Sequence, residues 1–213
     1  MTEPGVTLTD YLLALECGAF ALWLQRGAVD ARALRPAFVL FFAAAALAAL
    51  LGGTVHGFTG GEDSAGFRLL WPATLLSIGF GATAGWLVAA RLALSAGAAR
   101  HVALGAWLLL GIYAVAVLGG AWEFWVAIAG YLPAALCMLL AFGLEWRRRQ
   151  SRAARRGVVG MLLTFAAAAV QQLGIGVHVV YFDHNALYHS IQAFAFFYVF
   201  QAAGGLCGDV ERD

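Results

Sequence analysis

Long apolar stretches separated by short polar segments dominate this chain. An α-helix needs about 20 consecutive apolar residues to cross the hydrocarbon core of a bilayer. By that criterion the pattern predicts seven membrane-spanning helices, whose approximate bounds are 8–26, 37–57, 69–91, 101–120, 122–144, 157–181 and 185–206. These helices use up nearly the whole chain and leave no room for a soluble domain. Residues 1–213 are therefore predicted to form a single all-α integral membrane domain.

The composition agrees with a membrane protein. Hydrophobic residues make up 62% and charged residues 12% of the 213 positions, whereas average soluble domains are about 45–50% apolar and about 25% charged. The net charge of +1 gives no basis for binding nucleic acid. The acidic opening MTEPGVTLTD predicts no cleavable signal peptide. Because the chain contains no Lys, it cannot form a retinal Schiff base, which excludes a microbial rhodopsin.

The arginines are concentrated in alternate loops. Arg68 belongs to the second loop, whereas eleven of the thirteen basic residues belong to the first, third and fifth loops. These eleven are Arg26, Arg32, Arg35, Arg91, Arg100, Arg147, Arg148, Arg149, Arg152, Arg155 and Arg156. Positively charged loops of membrane proteins remain in the cytoplasm. The pattern therefore predicts that the N-terminus lies outside and the C-terminus lies in the cytoplasm.

Four of the five histidines are predicted to lie at the edge of the bundle opposite the arginines. The fifth, His101, is predicted to lie at the arginine edge. The ionisable residues assigned to the outer edge, opposite the arginines, are His56, His178, His184, His189, Asp183, Glu62 and Asp63. Ionisable groups inside a membrane are expensive and are usually functional. We therefore expect the functional site at this edge.

The last two predicted helices each carry a polar stripe. The polar residues of the sixth helix are seven positions apart, and those of the seventh helix follow the spacing i, i+4, i+7. The polar residues of each helix therefore share one helix face. The residues are Thr164, Gln171 and His178, followed by Asn185, His189 and Gln192. Polar stripes within lipid point into the bundle, and we expect both stripes to face a common interior.

The first predicted helix contains two acidic residues. Glu16 lies near its middle, where three interpretations stay open: a protonated side chain, a partner for Gln171 or Gln192, or a member of the site itself. Asp10 lies nearer the surface, where it is more easily solvated than Glu16.

Residues 177–189 bring three histidines and one aspartate close together in sequence. Three imidazoles and a water form a common catalytic zinc shell, and zinc lowers the pKa of its bound water to about 7 and polarises a carbonyl group. The candidate ligands are His56, His178, His184 and His189. Asp183 or Asp63 would orient a ligand or act as a general base. The competing interpretation is that these are solvated residues of the membrane interface.

The segment from Asn185 to His189 resembles a motif of the superfamily that joins the alkaline ceramidases and the progestin–adipoQ receptors. Members are seven-helix membrane proteins whose zinc ligands are one His on helix 2 and an H-x-x-x-H pair on helix 7, often H-A-L-W-H in ceramidases. Here His56 and His189 match two of these ligands, while Asn185 stands at the third position. The resemblance thus implies that His178 or His184 supplies the missing ligand.

Two other positions depart from the family pattern. Gly52 stands where the family has a Ser, and Asp63 is the candidate for its acidic residue at the start of helix 3. The opening LTDYLL and the closing H-N-x-L-Y-H are similar to uncharacterised bacterial relatives. The resemblance therefore implies location in a bacterial inner membrane.

Three functions remain open from the sequence. The first is a zinc-dependent intramembrane hydrolase of a lipid amide or ester, similar to a ceramidase. The second is a non-enzymatic, receptor-like protein with a polar pocket for a small ligand. The third is a haem-binding protein with His56 and His189 as axial ligands.

Overall fold

The computed structural model describes residues 1–27, 33–178 and 181–208, and these contain seven α-helices. The helices are α1 (Pro4–Gln25), α2 (Leu34–Phe58), α3 (Ala65–Ala93), α4 (Ala96–Leu118), α5 (Phe124–Arg149), α6 (Arg152–Gln172) and α7 (His184–Leu206). The all-α fold class is confirmed. Within the described residues, α1 to α6 are long and apolar enough to cross a membrane. The 23-residue α7 is long enough as well, but it is not among the helices that are apolar enough.

Six helices form a closed ring, and α4 lies outside it. Around the ring, α1 packs on α2, α2 on α3, α3 on α5, α5 on α6, α6 on α7, and α7 on α1. The outer helix α4 packs on α3 and buries few residues, among them Ala106 and Val117. Because the ring closes between α1 and α7, residues from the two ends of the chain share one interior.

The two edges of the ring hold different residues. At one edge the guanidinium of Arg35 donates hydrogen bonds to the carbonyl oxygens of Leu24 (3.1 Å) and Cys207 (3.2 Å), which joins the ends of α1 and α7 to the start of α2. At the other edge the Thr2 hydroxyl donates to the carbonyl oxygen of His56 (2.9 Å). The helix ends near the arginines therefore lie opposite the end that holds His56. Arg32 lies outside the described residues.

The interior of the ring has two halves. Toward the arginine edge it is filled by aromatic side chains such as Phe38, Phe42 and Phe142, which are fully buried. The ring centroids of Phe38 and Phe142 are 6.4 Å apart. Toward the opposite edge, the α2 positions that face the interior carry small residues, namely Ala44, Ala45, Ala48, Ala49 and Gly52. These small side chains leave space inside the ring. We call these two regions the filled half and the open half.

Helix α6 ends nine residues before the predicted boundary at 181, of which residues 179–180 lie outside the described part. Gly174 takes a φ of +66°, and the N–H of Ile175 donates to the carbonyl oxygen of Val170 at 3.0 Å. This is the hydrogen bond of a Schellman ending, which favours Gly at the left-handed position. The prediction that His178 continues the helix face of Gln171 is therefore wrong.

Several other helices are longer than their apolar cores. Helices α3, α4 and α6 each begin after a Ser, and Ser64, for example, accepts a hydrogen bond from the N–H of Phe67 at 3.0 Å. Helix α5 continues beyond residue 144 to Arg149. A capping hydroxyl stabilises the first turn of a helix even when that turn is not part of the apolar stretch. A criterion based on apolar residues therefore misses the first turn of α3, α4 and α6.

Candidate functional site

A cavity of about 450 Å³ lies in the open half, and all six ring helices contribute to its wall. Much of the wall is apolar, with contributions from Leu13 on α1, Phe41 on α2, Ile78 on α3 and Phe196 on α7. Its polar members include Asp10, His56, Thr164, Gln171, Asn185, His189 and Gln192. The cavity thus combines an apolar wall with a set of polar groups, as small-molecule sites generally do.

Asp10 and His189 form a buried pair in this cavity. His189 Nε2 lies 3.2 Å from Asp10 Oδ1, and the two side chains are only 13% and 4% exposed. His189 Nδ1 lies 3.5 Å from the Thr9 hydroxyl on the other side of the imidazole. The pair joins the first helix to the last, and it holds the imidazole against the cavity wall.

Two acceptor atoms in the cavity wall are buried without a hydrogen bond to any described residue: Asp10 Oδ2 and Gln192 Oε1. Their residues are only 3% and 2% exposed. The other end of the Gln192 amide is satisfied, because Nε2 donates to Thr164 Oγ1 at 3.1 Å. Buried polar atoms nearly always have a partner. The two unsatisfied acceptors thus belong to residues that line one and the same cavity.

The polar stripes of α6 and α7 face each other, as the sequence predicts for Thr164, Gln171, Asn185 and Gln192. Besides the bond between Gln192 and Thr164, Gln171 Nε2 donates to Asn185 Oδ1 at 3.2 Å. Both hydrogen bonds cross the α6–α7 interface at the cavity wall. The amides therefore hold the two helices together where no apolar packing fills the interior.

His56 lies where the cavity meets the surface. Its Nδ1 is 2.8 Å from Glu3 Oε2, and the two side chains are 28% and 47% exposed. His56 comes from the last turn of α2, and Glu3 precedes α1. The structure thus brings His56 and His189 to the same cavity, although each has a different carboxylate as its neighbour.

The other predicted site residues do not line this cavity. Nδ1 of His178 accepts a hydrogen bond from the N–H of Tyr181 at 3.1 Å in the exposed loop before α7. Asp183 caps α7 by accepting a hydrogen bond from the N–H of Ala186 at 2.9 Å. His184 is the half-buried first residue of α7, and Asp63 is exposed in the loop between α2 and α3.

The cavity does not present a ready three-ligand metal site. In residues 1–27, 33–178 and 181–208, no three His, Cys, Asp or Glu side chains are grouped so that they could hold a metal ion. His56 and His189 are accompanied here by Asp10 rather than by His178 or His184. The predicted three-histidine set therefore does not fit the described geometry. Zinc binding stays a prediction, and the function proposed below does not depend on it.

Sequence reasoning missed Asp10, which is buried rather than solvated. A signal was present, because Asp10, Cys17 and Leu24 are seven residues apart and lie on the buried face of α1. A Cβ at Gly53 would lie 2.8 Å from the Cβ of Asp10. The close approach of α1 and α2 thus requires Gly at position 53, and it carries Asp10 into the ring.

Glu16, the other acidic residue of α1, does not line the cavity. Its Oε2 is buried and makes no hydrogen bond with any residue of the described chain. The Gln171 and Gln192 amides instead bond to Asn185 and Thr164. Glu16 is therefore no member of the polar group that surrounds His189.

The described helices form a ring with α4 beside it, and six of them, α1 to α6, are long and apolar enough to cross a membrane. Residues 6–207 match the model of a family described as a family of unknown function (DUF6962), and the chain belongs to this family. Neither the curated proteins nor the solved structures contain a match.

Proposed function

We propose that this protein is an integral membrane protein that binds a small amphipathic molecule inside its helical bundle. The observation that carries the proposal is the 450 Å³ cavity, whose wall is apolar over much of its area and holds unsatisfied polar atoms of Asp10 and Gln192. Ligand pockets generally have volumes of about 300–1,000 Å³ and a few polar groups that orient the ligand. The protein would act as a receptor-like or carrier-like binder of a lipid-like compound.

The proposed membrane arrangement has seven spans, with α7 as the seventh. The polar residues His189 and Gln192 of α7 border the cavity, and α7 packs between α1 and α6. A less apolar helix is tolerated in a membrane when its polar face points into the bundle. The arginine edge would face the cytoplasm, with the N-terminus outside and the C-terminus inside. A bacterial inner membrane is the proposed location.

A substitution that fills the cavity tests the binding function. A Cβ at Gly81 would meet only the Cβ of Ala44, at 3.9 Å, so the side chain of Gly81→Leu extends into the cavity. Gly111→Leu is the matched control, since Gly111 is exposed on α4 and a Cβ there meets nothing within 4 Å. Each protein is incorporated into phosphatidylcholine nanodiscs, and the binding of tritiated dodecylamine, dodecanol and dodecanoate is measured.

The expected result is saturable binding of at least one dodecyl compound to the wild type and to Gly111→Leu, with none to Gly81→Leu. Comparable thermal unfolding of the two variants would show that the substitutions leave the bundle folded. If none of the three compounds binds saturably, or if Gly81→Leu binds as well as its control, the proposed function is wrong.

A second candidate is metal-dependent hydrolysis of a lipid amide or ester. The observation in its favour is that His56 and His189 border one cavity together with Asp10. The amide or ester bond of a lipid in this cavity would lie near these side chains. The test is the zinc content of purified wild type and His189→Ala, measured by mass spectrometry. About one zinc per chain that is lost in the variant would favour the hydrolase, and zinc-free wild type would exclude it. A colourless preparation without a Soret band would exclude haem.

A further inference from the structure

The unsatisfied atoms of the cavity wall are both acceptors and lie on one side of it. Asp10 contacts His189, and Gln192 follows His189 by three residues on α7, so these side chains are neighbours on one wall. An unsatisfied buried acceptor destabilises the folded state, because it has lost its hydrogen bonds to water without replacement. A ligand that occupies this place gains affinity by donating hydrogen bonds, and a ligand that offers only acceptors gains none.

The charges of the cavity favour a cation over an anion. Among the described residues no Arg lines the cavity, and the chain contains no Lys, so His56 and His189 are the basic members of the wall in this part of the chain. Asp10 is its acidic member, and Glu3 lies against His56 at the same end. A carboxylate or phosphate head group would meet Asp10 and find no permanent positive charge. A buried carboxylate is best satisfied by a cation that also donates hydrogen bonds.

We infer that the cavity takes a single-chain amphiphile whose head group is a primary amine, with Asp10 Oδ2 and Gln192 Oε1 as the acceptors of its N–H groups. The apolar chain of this ligand lies along the apolar part of the wall, to which Ile78, Leu132 and Phe196 contribute. An alcohol of the same length brings a single donor and leaves the carboxylate without a counter-charge. This inference rests on the proposed function and adds the chemical class of the ligand.

The test compares three head groups on the same dodecyl chain. It distinguishes failure of the amine inference from failure of the proposed binding function. In phosphatidylcholine nanodiscs, dodecylamine is expected to bind the wild type about tenfold or more tightly than dodecanol. Dodecanoate is expected not to bind saturably. Equal affinities for the amine and the alcohol, or tighter binding of dodecanoate, would overturn the amine inference while leaving the proposed function intact. Saturable binding of none of the three would overturn the proposed function itself.

Asp10→Asn identifies the group that selects the amine. This variant keeps the shape of the side chain and removes its charge, so dodecylamine is expected to bind no more tightly than dodecanol. The matched control is Glu62→Gln, which removes a negative charge from the exposed loop between α2 and α3 and is expected to retain the amine preference. An unchanged preference in folded Asp10→Asn would contradict the assignment. If Asp10→Asn does not fold, the comparison of head groups on wild-type protein still decides the inference.

Discussion

The filled half and the open half of the ring are built by the same helices and differ in the size of their side chains. On α2, Phe38 and Phe42 are buried in the filled half, whereas the α2 residues that line the cavity between Phe41 and His56 are all small, from Ala44 to Gly52. Large side chains from α5 and α7 close the interior around these phenylalanines. The comparison shows that a change in residue size along one helix can produce a cavity without any break in the helix.

The halves also differ in how their buried polar groups are satisfied. At the arginine edge, the buried guanidinium of Arg35 is bonded to carbonyl oxygens at the ends of α1 and α7. In the open half, Asp10 Oδ2 and Gln192 Oε1 accept no hydrogen bond from the described residues. Polar groups that serve only the fold are normally satisfied within it. This difference supports the ligand site that we propose in the open half.

The largest expected effect comes from removing an aromatic ring in the filled half. Phe142 is fully buried against Phe38, and Phe142→Ala is expected to lower the free energy of unfolding by about 3 kcal/mol. Ile128→Ala on the same helix is expected to cost less than half as much, because Ile128 borders the cavity. Unfolding by dodecyl sulfate titration in mixed micelles measures both. Equal losses would show that the halves are packed alike.

A smaller effect is expected at the cap of α7. Asp183→Ala removes the acceptor for the N–H of Ala186, and we expect a loss of about 1 kcal/mol in the free energy of unfolding. Because Asp183 does not line the cavity, ligand affinity should stay unchanged. Asp63→Asn, in an exposed loop, is the control and should alter neither quantity. If Asp183→Ala is stable yet binds no dodecyl compound, Asp183 belongs to the binding site after all.

The smallest expected effect is the coupling between α6 and α7 at the cavity wall. A double-mutant cycle with Thr164→Val and Gln192→Leu isolates the hydrogen bond between Gln192 Nε2 and Thr164 Oγ1. Hydrogen bonds between membrane helices contribute about 0.6 kcal/mol on average in such cycles. The coupling energy is obtained from the same micelle titrations. A value near zero would mean that this hydrogen bond makes no net contribution to the association of α6 with α7.

Much of the fold was predictable because hydropathy is a local property. The seven predicted apolar stretches correspond to α1 to α7, and the alternation of Arg-rich and Arg-poor loops matches the two edges of the ring. The end of α6 was misplaced because apolar residues such as Ile175 and Val177 continue the hydropathy beyond Gly174. The glycine alone marks the point where the helix ends.

The candidate site was predictable only in part. His56 and His189 were both expected at one edge of the bundle and border the same cavity, and the amides of α6 and α7 face one interior as expected. Asp10 was missed because its surroundings depend on how closely α1 approaches α2 and α7. The cluster of His178 and His184 in sequence suggested a shared metal, but neither residue lines the cavity, because His178 lies in the loop before α7 and His184 begins that helix.

The sequence by itself determined the number of helices, their separation into an arginine edge and a histidine edge, and the polar stripes of the last two helices. Those features follow from the periodicity and hydropathy of neighbouring residues. Only the tertiary structure decided that α4 lies outside the ring and that Asp10 meets His189 across 179 positions of the chain. The physical reason is that packing distances between helices, set by residues such as Gly53, determine which side chains share a cavity.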